Sequence, residues 1–221
     1  MCGRYTIYTD LTQLAERFGF DAGDIDIPPS YNVAPTQSVL TVVRGEGNRA
    51  ELMRWGLIPS WAKDMSIGNR MINARAETVA EKPSFRAALT RRRCLVIADG
   101  FYEWQKTTMG KRPMRIAMDD GRPFAFAGLW ETWKSPDSRL VKSCTIITTS
   151  ANDRLQSIHS RMPVILMPEA EELWLDNSIE DAALASQVLA PYPLQDLQAY
   201  EVSSLVNSPK NNAPELVVPV G

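Results

Sequence analysis

The chain has 221 residues, with 24 basic and 26 acidic side chains, a formal net charge of −2 and 44% hydrophobic residues. This length allows one large domain or at most two small ones, and we predict a single domain over residues 1–221. The composition excludes a membrane-spanning chain, because no stretch approaches about 18 consecutive apolar residues, and the balanced charge argues against a protein that coats nucleic acid by charge alone. The first ten residues lack the pattern of a secretion signal, so we expect a cytoplasmic protein.

The first quarter of the chain predicts a short helix, an irregular loop and a hairpin. Apolar residues recur at helical spacing over residues 10–18, and a glycine follows them as a stop signal. Three prolines between residues 21 and 37 favour an ordered loop over a strand. Residues 39–43 and 50–55 alternate like paired strands around the glycine-rich turn at 45–47.

The rest of the sequence predicts strands in the middle and helices toward the C-terminus. The predicted strands are 94–104, 113–118, 123–129, 143–149, 198–203 and 215–220. The second and third of these form a hairpin around Asp119-Asp120-Gly121. The predicted helices are 151–158, 168–175 and 179–189. Because strands and helices do not alternate regularly, we expect an α+β fold: a single domain with a curved, mainly antiparallel β-sheet core flanked by helices.

The cysteines argue against a metal site or a disulfide framework. Cys94 and Cys144 lie in apolar runs, where a buried thiol acts as a small hydrophobic group. No pair of cysteines has the spacing of metal ligands, and His159 is the only histidine. We therefore expect no disulfide, no metal and no other cofactor.

Charge is distributed unevenly despite the balanced total. Basic side chains gather in two places: Arg86 with Arg91, Arg92 and Arg93, and Lys106 with Lys111, Arg112 and Arg115. Acidic side chains gather between residues 169 and 176. Such clusters are typical of a solvated surface, and they also fit a face that meets phosphates.

Cys2 is the first candidate for chemistry. An aminopeptidase normally removes the initiator Met1 when the next residue is small, and the new terminal Cys2 then carries an amine and a thiol on adjacent carbons. The amine, with an ordinary pKa of about 7.7 to 8.0, is partly neutral at physiological pH and can attack an aldehyde. The thiol can then close a five-membered thiazolidine ring. An incidental cysteine at position 2 is the alternative.

Two further residues suit proton transfer. Glu103 lies among aromatic residues at the end of an apolar run, so we expect its carboxylate at a sheet edge in a partly dry pocket. His159 follows the predicted helix 151–158, in an exposed position that suits a proton shuttle. An exposed glutamate and an ordinary surface histidine are the alternatives.

Other polar and aromatic residues suit contacts with a ligand. Asn73 and Arg75 lie on the same side of an extended segment, where the amide could orient a reacting group and the guanidinium could clamp a phosphate; an internal salt bridge of Arg75 is the alternative. Trp55 and Trp61, with Pro35 upstream, would form a ridge of flat apolar groups. Such a ridge belongs either to the core or to a surface that stacks on bases.

Six motifs in order along the chain resemble one family. They are Met1-Cys2-Gly3-Arg4, Asn32-Val33-Ala34-Pro35, Arg54-Trp55-Gly56-Leu57-Ile58-Pro59, Asn73-Ala74-Arg75-Ala76-Glu77, Ala98-Asp99-Gly100-Phe101-Tyr102-Glu103-Trp104 and His159-Ser160-Arg161-Met162-Pro163. Together with a closing segment, residues 206–211, they are similar to the SOS response-associated peptidase family, abbreviated SRAP. Six ordered motifs across nearly the whole chain are far more specific than any one of them.

The resemblance implies an SRAP-like single domain that shields abasic sites in single-stranded DNA, or at its junctions with duplex, by a covalent crosslink. It implies that Cys2 forms a thiazolidine with the sugar aldehyde and that Asn73 positions both. Glu103 would move protons during ring opening and imine formation, and His159 would assist ring opening and crosslink reversal. The predicted DNA contacts are Arg4, Pro35, Trp55, Trp61, Arg75, Trp104, Arg161 and Lys210. We expect a monomer that contacts no membrane and associates with the nucleoid of a bacterial-type cytoplasm when bound to DNA.

Two other functions remain open from the sequence. The first is a cysteine or N-terminal-nucleophile peptidase, in which Cys2 and His159 act on a peptide bond, including one near the chain's own N-terminus. The second is a non-covalent DNA-binding module that depends only on arginines and tryptophans. Loss of a boiling-resistant DNA adduct on changing Cys2 would separate both from crosslinking.

Overall fold

The computed structural model describes residues 2–193 and 195–220, and it has the predicted α+β fold with mainly antiparallel sheets. Its strands are β1 (Tyr5–Ile7), β2 (Phe20–Asp21), β3 (Ser30–Val33), β4 (Ser38–Arg44), β5 (Asn48–Trp55), β6 (Asn73–Arg75), β7 (Arg93–Ala98), β8 (Gly100–Thr107), β9 (Gly110–Met118), β10 (Phe124–Lys134), β11 (Leu140–Ser150), β12 (Arg161–Pro163) and β13 (Leu197–Glu201). Its α-helices are α1 (Leu11–Phe18), α2 (Arg86–Arg91), α3 (Pro168–Leu175) and α4 (Ala182–Ser186). Within the described part of the chain, no helix has the length and apolar character that crossing a bilayer requires.

The strands form two sheets, one of which closes on itself. The first sheet has the order β13-β9-β8-β1-β3, and the second has the order β12-β11-β10-β7-β4-β5-β2. In the second sheet β11 also pairs in parallel with β5, so that Cys144 lies opposite Trp55 and five strands make a closed ring. This closure confirms the curved sheet that the sequence predicts, and the side chains inside it form the main core.

Two predicted elements near the N-terminus are confirmed. Helix α1 begins after Asp10, whose carboxylate accepts a hydrogen bond from the backbone N–H of Thr12 (2.8 Å), and ends at Gly19 in a left-handed conformation (φ 62°). Strands β4 and β5 pair antiparallel along their whole length, as the hairpin prediction requires. The loop prediction for 21–37 is wrong in part, because it contains β3, which pairs with β1.

The predicted strand 94–104 is wrong as a single element. The chain breaks at Asp99, which separates β7 in the second sheet from β8 in the first. The Asp99 carboxylate is 2% exposed and accepts hydrogen bonds from the backbone N–H groups of Tyr8 (2.6 Å) and Thr9 (3.0 Å). Asp99 therefore ties the turn after β1 to the point where the chain passes between the sheets.

The predicted hairpin of 113–118 with 123–129 is also wrong. β9 pairs with β8 and β13 in the first sheet, whereas β10 pairs with β7 and β11 in the second. The turn between them therefore connects the two sheets. Both runs are buried over most of their length, and so the apolar pattern does not determine which strand lies beside which.

Three predicted elements in the C-terminal third change form. Residues 151–158 make successive turns instead of a helix, and the predicted helix 179–189 is reduced to the short α4. The predicted strand 215–220 begins as a 3-10 helix, Pro214–Val217, and keeps only one bridge, between Val202 and Pro219. The predicted helix 168–175 is confirmed as α3, with Pro168 in its first turn.

Candidate active site

Cys2 lies three residues before β1, the strand that joins the first sheet in its interior. β1 pairs with β8, with Tyr5 opposite Phe101, and the backbone N–H of Tyr102 donates to the carbonyl of Arg4 (3.0 Å). This antiparallel alignment brings the residues before Tyr5 alongside the second half of β8. Cys2 is fully buried there, and its Sγ lies 3.8 Å from the carbonyl oxygen of Arg4. Met1, whose removal the sequence predicts, lies outside the described residues.

The thiol of Cys2 is held in its protonated form. Burial raises the pKa of this thiol well above its ordinary value of 9.0, and the negative charge of Glu103 raises it further. Cys94 and Cys144 are also free and buried. Burial raises the pKa of Cys144 to about 12, and burial together with the charges of Cys144 and Glu51 raises the pKa of Cys94. Cys2 therefore shares a raised pKa with the other two cysteines, and it differs from them in its hydrogen bond with Asn73 beside the charge of Glu103.

Asn73 contacts Cys2 from the other sheet. It opens β6, which runs parallel to β11, and its Nδ2 donates a hydrogen bond to the Cys2 carbonyl (2.8 Å). Its Oδ1 is buried and accepts no hydrogen bond from the described residues. Ala74 is buried, Asn73 is half-buried and Arg75 is exposed. The Oδ1 of Asn73 could accept a hydrogen bond from an amine or hydroxyl group placed next to Cys2.

Glu103 and His159 line the same cleft. Its volume is about 440 Å³, and its walls come from the β8–β9 hairpin on one side and from residues 156–160 on the other. Glu103 is 5% exposed, in agreement with the partly dry pocket that the sequence predicts, but β8 is an interior strand of its sheet and not an edge. The cleft places a buried carboxylate and an imidazole on facing walls.

The orientation of His159 is fixed by the backbone of Arg161. Its Nδ1 accepts a hydrogen bond from the backbone N–H of Arg161 (3.0 Å). Nδ1 also lies 3.2 Å from the carbonyl oxygen of Arg161, so the backbone of Arg161 holds the ring through this one nitrogen. The turns that replace the predicted helix end at this residue, where the N–H of His159 donates to the carbonyl of Leu155 (2.9 Å).

Arg161 is held by a carboxylate that the sequence did not assign to the site. Glu77 accepts two hydrogen bonds from the Arg161 guanidinium, and the carbonyl of Thr148 accepts a third (2.6 Å). The arginine side chain is 19% exposed and that of Glu77 is 52% exposed. The internal salt bridge considered for Arg75 thus forms at Arg161, whereas Arg75 is exposed and makes no ion pair with the described residues.

Arg4 connects the N-terminal segment to the C-terminal one. Its guanidinium donates to Asn32 Oδ1 (2.7 Å) and to the carbonyls of Val206 (2.9 Å) and Asn207 (3.4 Å). Asn32 in turn donates to the Val206 carbonyl (3.2 Å). Burial lowers the pKa of the Arg4 side chain. A phosphate at Arg4, as predicted, would compete with these bonds, so the geometry favours a structural role. Asn32 and Asn207 both lie in segments that resemble the family. Only the structure shows that Arg4 donates hydrogen bonds to both of them.

The predicted DNA-contacting aromatic residues separate into buried and exposed ones. Trp55 is fully buried, and its Nε1 donates to the carbonyl of Ile72 (2.9 Å), so its placement in a surface ridge is wrong. Trp61 is 59% exposed. Trp104 is partly exposed in the cleft wall, and its Nε1 donates to Asn207 Oδ1 (2.6 Å). The other two predicted contacts are also accessible to a ligand: Pro35, which is half-buried, and Lys210, which is exposed.

Comparison with known proteins gives a family match over most of the chain. The family model described as SOS response associated peptidase (SRAP) matches residues 1–209. The Abasic site processing protein YoqW of Bacillus subtilis is 50% identical over 221 residues, covering 98% of this chain and 99% of that protein. The Abasic site processing protein HMCES of Mus musculus is 32% identical over 231 aligned residues, covering 86% of this chain and 65% of that protein.

Solved structures match the fold as a whole. A crystal structure of a protein from Bacteroides thetaiotaomicron has a TM-score of 0.90 and 28% sequence identity, covering 99% of this chain and 100% of that chain. A crystal structure of a protein from Bordetella bronchiseptica has a TM-score of 0.79 and 26% identity, covering 91% of this chain and all of that one. The overall fold is therefore shared with experimentally determined structures.

Proposed function

Because this chain belongs to the SOS response associated peptidase (SRAP) family, we propose that it processes abasic sites in DNA. In this proposal the mature N-terminal Cys2, freed by removal of Met1, forms a thiazolidine crosslink with the abasic sugar in single-stranded DNA or at a junction with duplex. The names of YoqW and HMCES as abasic site processing proteins support the substrate. The observation that carries the chemistry is the hydrogen bond from Asn73 to the Cys2 carbonyl, and the charge of Glu103, on the other sheet, acts on the same residue by raising the pKa of its thiol.

The first step opens the sugar. An abasic deoxyribose is mostly a cyclic hemiacetal, so its aldehyde becomes available when an acid protonates the ring oxygen and a base takes the proton of the C1′ hydroxyl. Glu103 in the cleft wall supplies the acid, and His159 on the facing wall assists the second transfer. Each gains or loses one proton, and the sugar is unchanged in composition.

The second step joins the sugar to the protein. The α-amine of Cys2 adds to the aldehyde carbon, and loss of one water gives an imine. The thiol then adds across the C=N bond: a C–S bond forms, the nitrogen receives the pair of electrons of the π bond, and the thiol proton passes through Glu103 to that nitrogen. Since the raised pKa of Cys2 keeps the thiol protonated, this transfer needs the neighbouring carboxylate.

Cysteine suits this reaction better than a residue with an amine alone. An imine at the sugar carbon promotes β-elimination of the 3′ phosphate, which would cut the strand. Capture of the imine by sulfur removes the electron-withdrawing C=N bond, so the strand stays intact. Asn73 holds the Cys2 carbonyl while the ring closes, and its buried Oδ1 is placed to accept a hydrogen bond from the amine. Reversal follows the same path, with Glu103 and His159 returning protons.

The test uses protein whose mature N-terminus is confirmed by intact mass. It is mixed with a single-stranded oligonucleotide containing one abasic site and analysed after boiling in detergent. We expect an adduct with the mass of one protein plus one oligonucleotide minus one water. Cys2→Ser should abolish the thiazolidine, whereas the matched variant Cys94→Ser, at a buried cysteine of β7, should leave it unchanged. An undiminished adduct with Cys2→Ser contradicts the mechanism. Peptide turnover without an adduct would favour the peptidase, and binding that survives Cys2→Ala with no adduct in any variant would favour the non-covalent module.

A further inference from the structure

Three of the four arginines in one basic cluster form ion pairs or backbone hydrogen bonds in the structure. Arg91 and Arg92 form ion pairs with Glu180 and Glu131. Arg93 is 1% exposed and donates its hydrogen bonds to backbone carbonyls, among them that of Trp174 (2.6 Å). These three arginines therefore serve the fold, whereas Arg86 is exposed and forms no ion pair with the described residues.

The second cluster separates into used and unused charges. Arg115 points into the protein, where it is 4% exposed and donates to Tyr200 Oη (2.7 Å). Arg112 pairs with Glu201. Lys106 and Lys111 remain: both are exposed, and neither ammonium group forms an ion pair within the described part of the chain.

These two lysines face each other. Lys106 on β8 lies directly opposite Lys111 on β9 in the antiparallel register, so their side chains lie on the same face of the hairpin. Like charges in this arrangement destabilise a hairpin unless an anion lies between them. Both side chains line the cleft that contains Glu103 and His159. Lys111 also lines a neighbouring depression of about 290 Å³ with Trp104.

Resting on the function proposed above, we propose that Lys106 and Lys111 together bind one backbone phosphate of the DNA strand next to the abasic nucleotide. An ammonium group binds phosphate as a point charge, and two of them on adjacent strands can share one phosphate. Trp104 is two residues from Lys106 on β8 and offers a partly exposed ring on which a base can stack. An aromatic ring beside two ammonium groups suits a nucleotide strand, which has bases to stack and phosphates to bind, better than an acidic peptide.

The experiment measures binding as a function of salt. The probe is a fluorescent single-stranded oligonucleotide with a tetrahydrofuran analogue, which has no aldehyde and reports binding without crosslinking. Each phosphate contact contributes about 0.7 to the slope of log K against log salt on single strands. The double variant Lys106→Gln/Lys111→Gln should therefore reduce that slope by about 0.7 and weaken binding at 0.1 M salt by about fivefold. The control Lys82→Gln/Lys134→Gln removes the same charge from two exposed lysines on other segments and should leave the slope unchanged.

Two further arms make the result specific. With the analogue at either end of the oligonucleotide, the lysine variant should lose affinity on only one of the two probes, since one phosphate lies on one flank. A slope equal to that of the wild type, or an equal loss in the control, would overturn the lysine site. Adduct formation by the wild-type protein on a true abasic oligonucleotide is measured in parallel. If the wild type forms no adduct but the lysine effect persists, the crosslinking proposal fails and the phosphate site stands.

Discussion

Replacing Glu77 by Gln should strengthen the binding of single-stranded DNA, because Glu77 holds the guanidinium group of Arg161. In the structure both terminal nitrogens of Arg161 donate to the Glu77 carboxylate, and one of them also donates to Thr148. A phosphate bound by Arg161 must displace that carboxylate or share the arginine with it. Gln keeps the size of the side chain and removes its charge, so the competition weakens without a cavity.

The size of the effect follows from exposure. The Arg161 side chain is 19% exposed and Glu77 is 52% exposed, so solvent screens the pair and its contribution is about 0.2–1 kcal/mol. If a phosphate must overcome this amount, Glu77→Gln raises DNA affinity by about 1.4- to 5-fold. The free energy of unfolding should fall by no more than the same amount.

The same pair predicts a pH dependence. Hydrogen bonds from Arg161 lower the pKa of Glu77 below its ordinary value of 4.5. A carboxylate whose pKa is lowered by folding stabilises the protein above the pKa of the unfolded chain, and this contribution is lost as the pH falls through the lowered folded value. The stability difference between the wild type and Glu77→Gln should therefore be constant above pH 4.5 and disappear below it.

Fluorescence anisotropy with the tetrahydrofuran oligonucleotide at low salt measures the affinity, and thermal unfolding at several pH values measures the stability. Glu81→Gln removes one negative charge from an exposed position four residues away and controls for the change in net charge. Weaker binding by Glu77→Gln would show that Glu77 orients Arg161 for the phosphate and would refute the competition. Equal strengthening in both variants would assign the effect to net charge.

Three further predictions concern other parts of the molecule. Gly100→Ala places a Cβ 2.6 Å from Arg115 Nη2, in a region too enclosed for the guanidinium to move away. The overpacking should lower the free energy of unfolding by about 1–3 kcal/mol and Tm by about 2–12 °C, as measured by calorimetry. An unchanged Tm would contradict this prediction. Glu103→Gln removes a negative charge that, together with burial, raises the pKa of the Cys2 thiol. Alkylation of Cys2 in the native protein should therefore begin at lower pH, and crosslinking should slow. An unchanged pH profile of alkylation would show that the charge of Glu103 does not act on the thiol. Trp61→Ala should change the free energy of unfolding by no more than about 0.5 kcal/mol, because the side chain is 59% exposed. It should weaken the binding of single-stranded DNA by about 1–3 kcal/mol, which titration with the same oligonucleotide measures.

Elements that depend on local pattern were predictable from the sequence. Helix α1 is specified by its apolar spacing, by the Asp10 cap and by Gly19, all within ten residues. The β4–β5 hairpin is specified by alternation around a glycine turn. Periodicity and turn chemistry act over a few residues, so they can be detected in one sequence without knowledge of the rest of the fold.

Strand partners and the surroundings of functional residues were decided by the tertiary structure. The run 94–104 is apolar almost throughout, and only the buried bonds of Asp99 to the turn after β1 divide it between two sheets. Trp55 is a motif residue, but closure of the second sheet encloses it. Arg161 meets Glu77 across 84 residues of sequence, a distance at which residue spacing carries no information.

The sequence by itself determined the α+β class, the local helices and the residue types that suit aldehyde capture, with Cys2 first among them. The fold decided that Asn73 and Glu103 approach Cys2 from two sheets, that Arg4 binds the C-terminal segment, and that Lys106 and Lys111 lie exposed and opposite each other. The physical reason is the range of the interactions along the sequence. Side-chain chemistry and periodicity depend on residues that are close in sequence, whereas burial, ion pairing and strand register arise only when distant segments pack together.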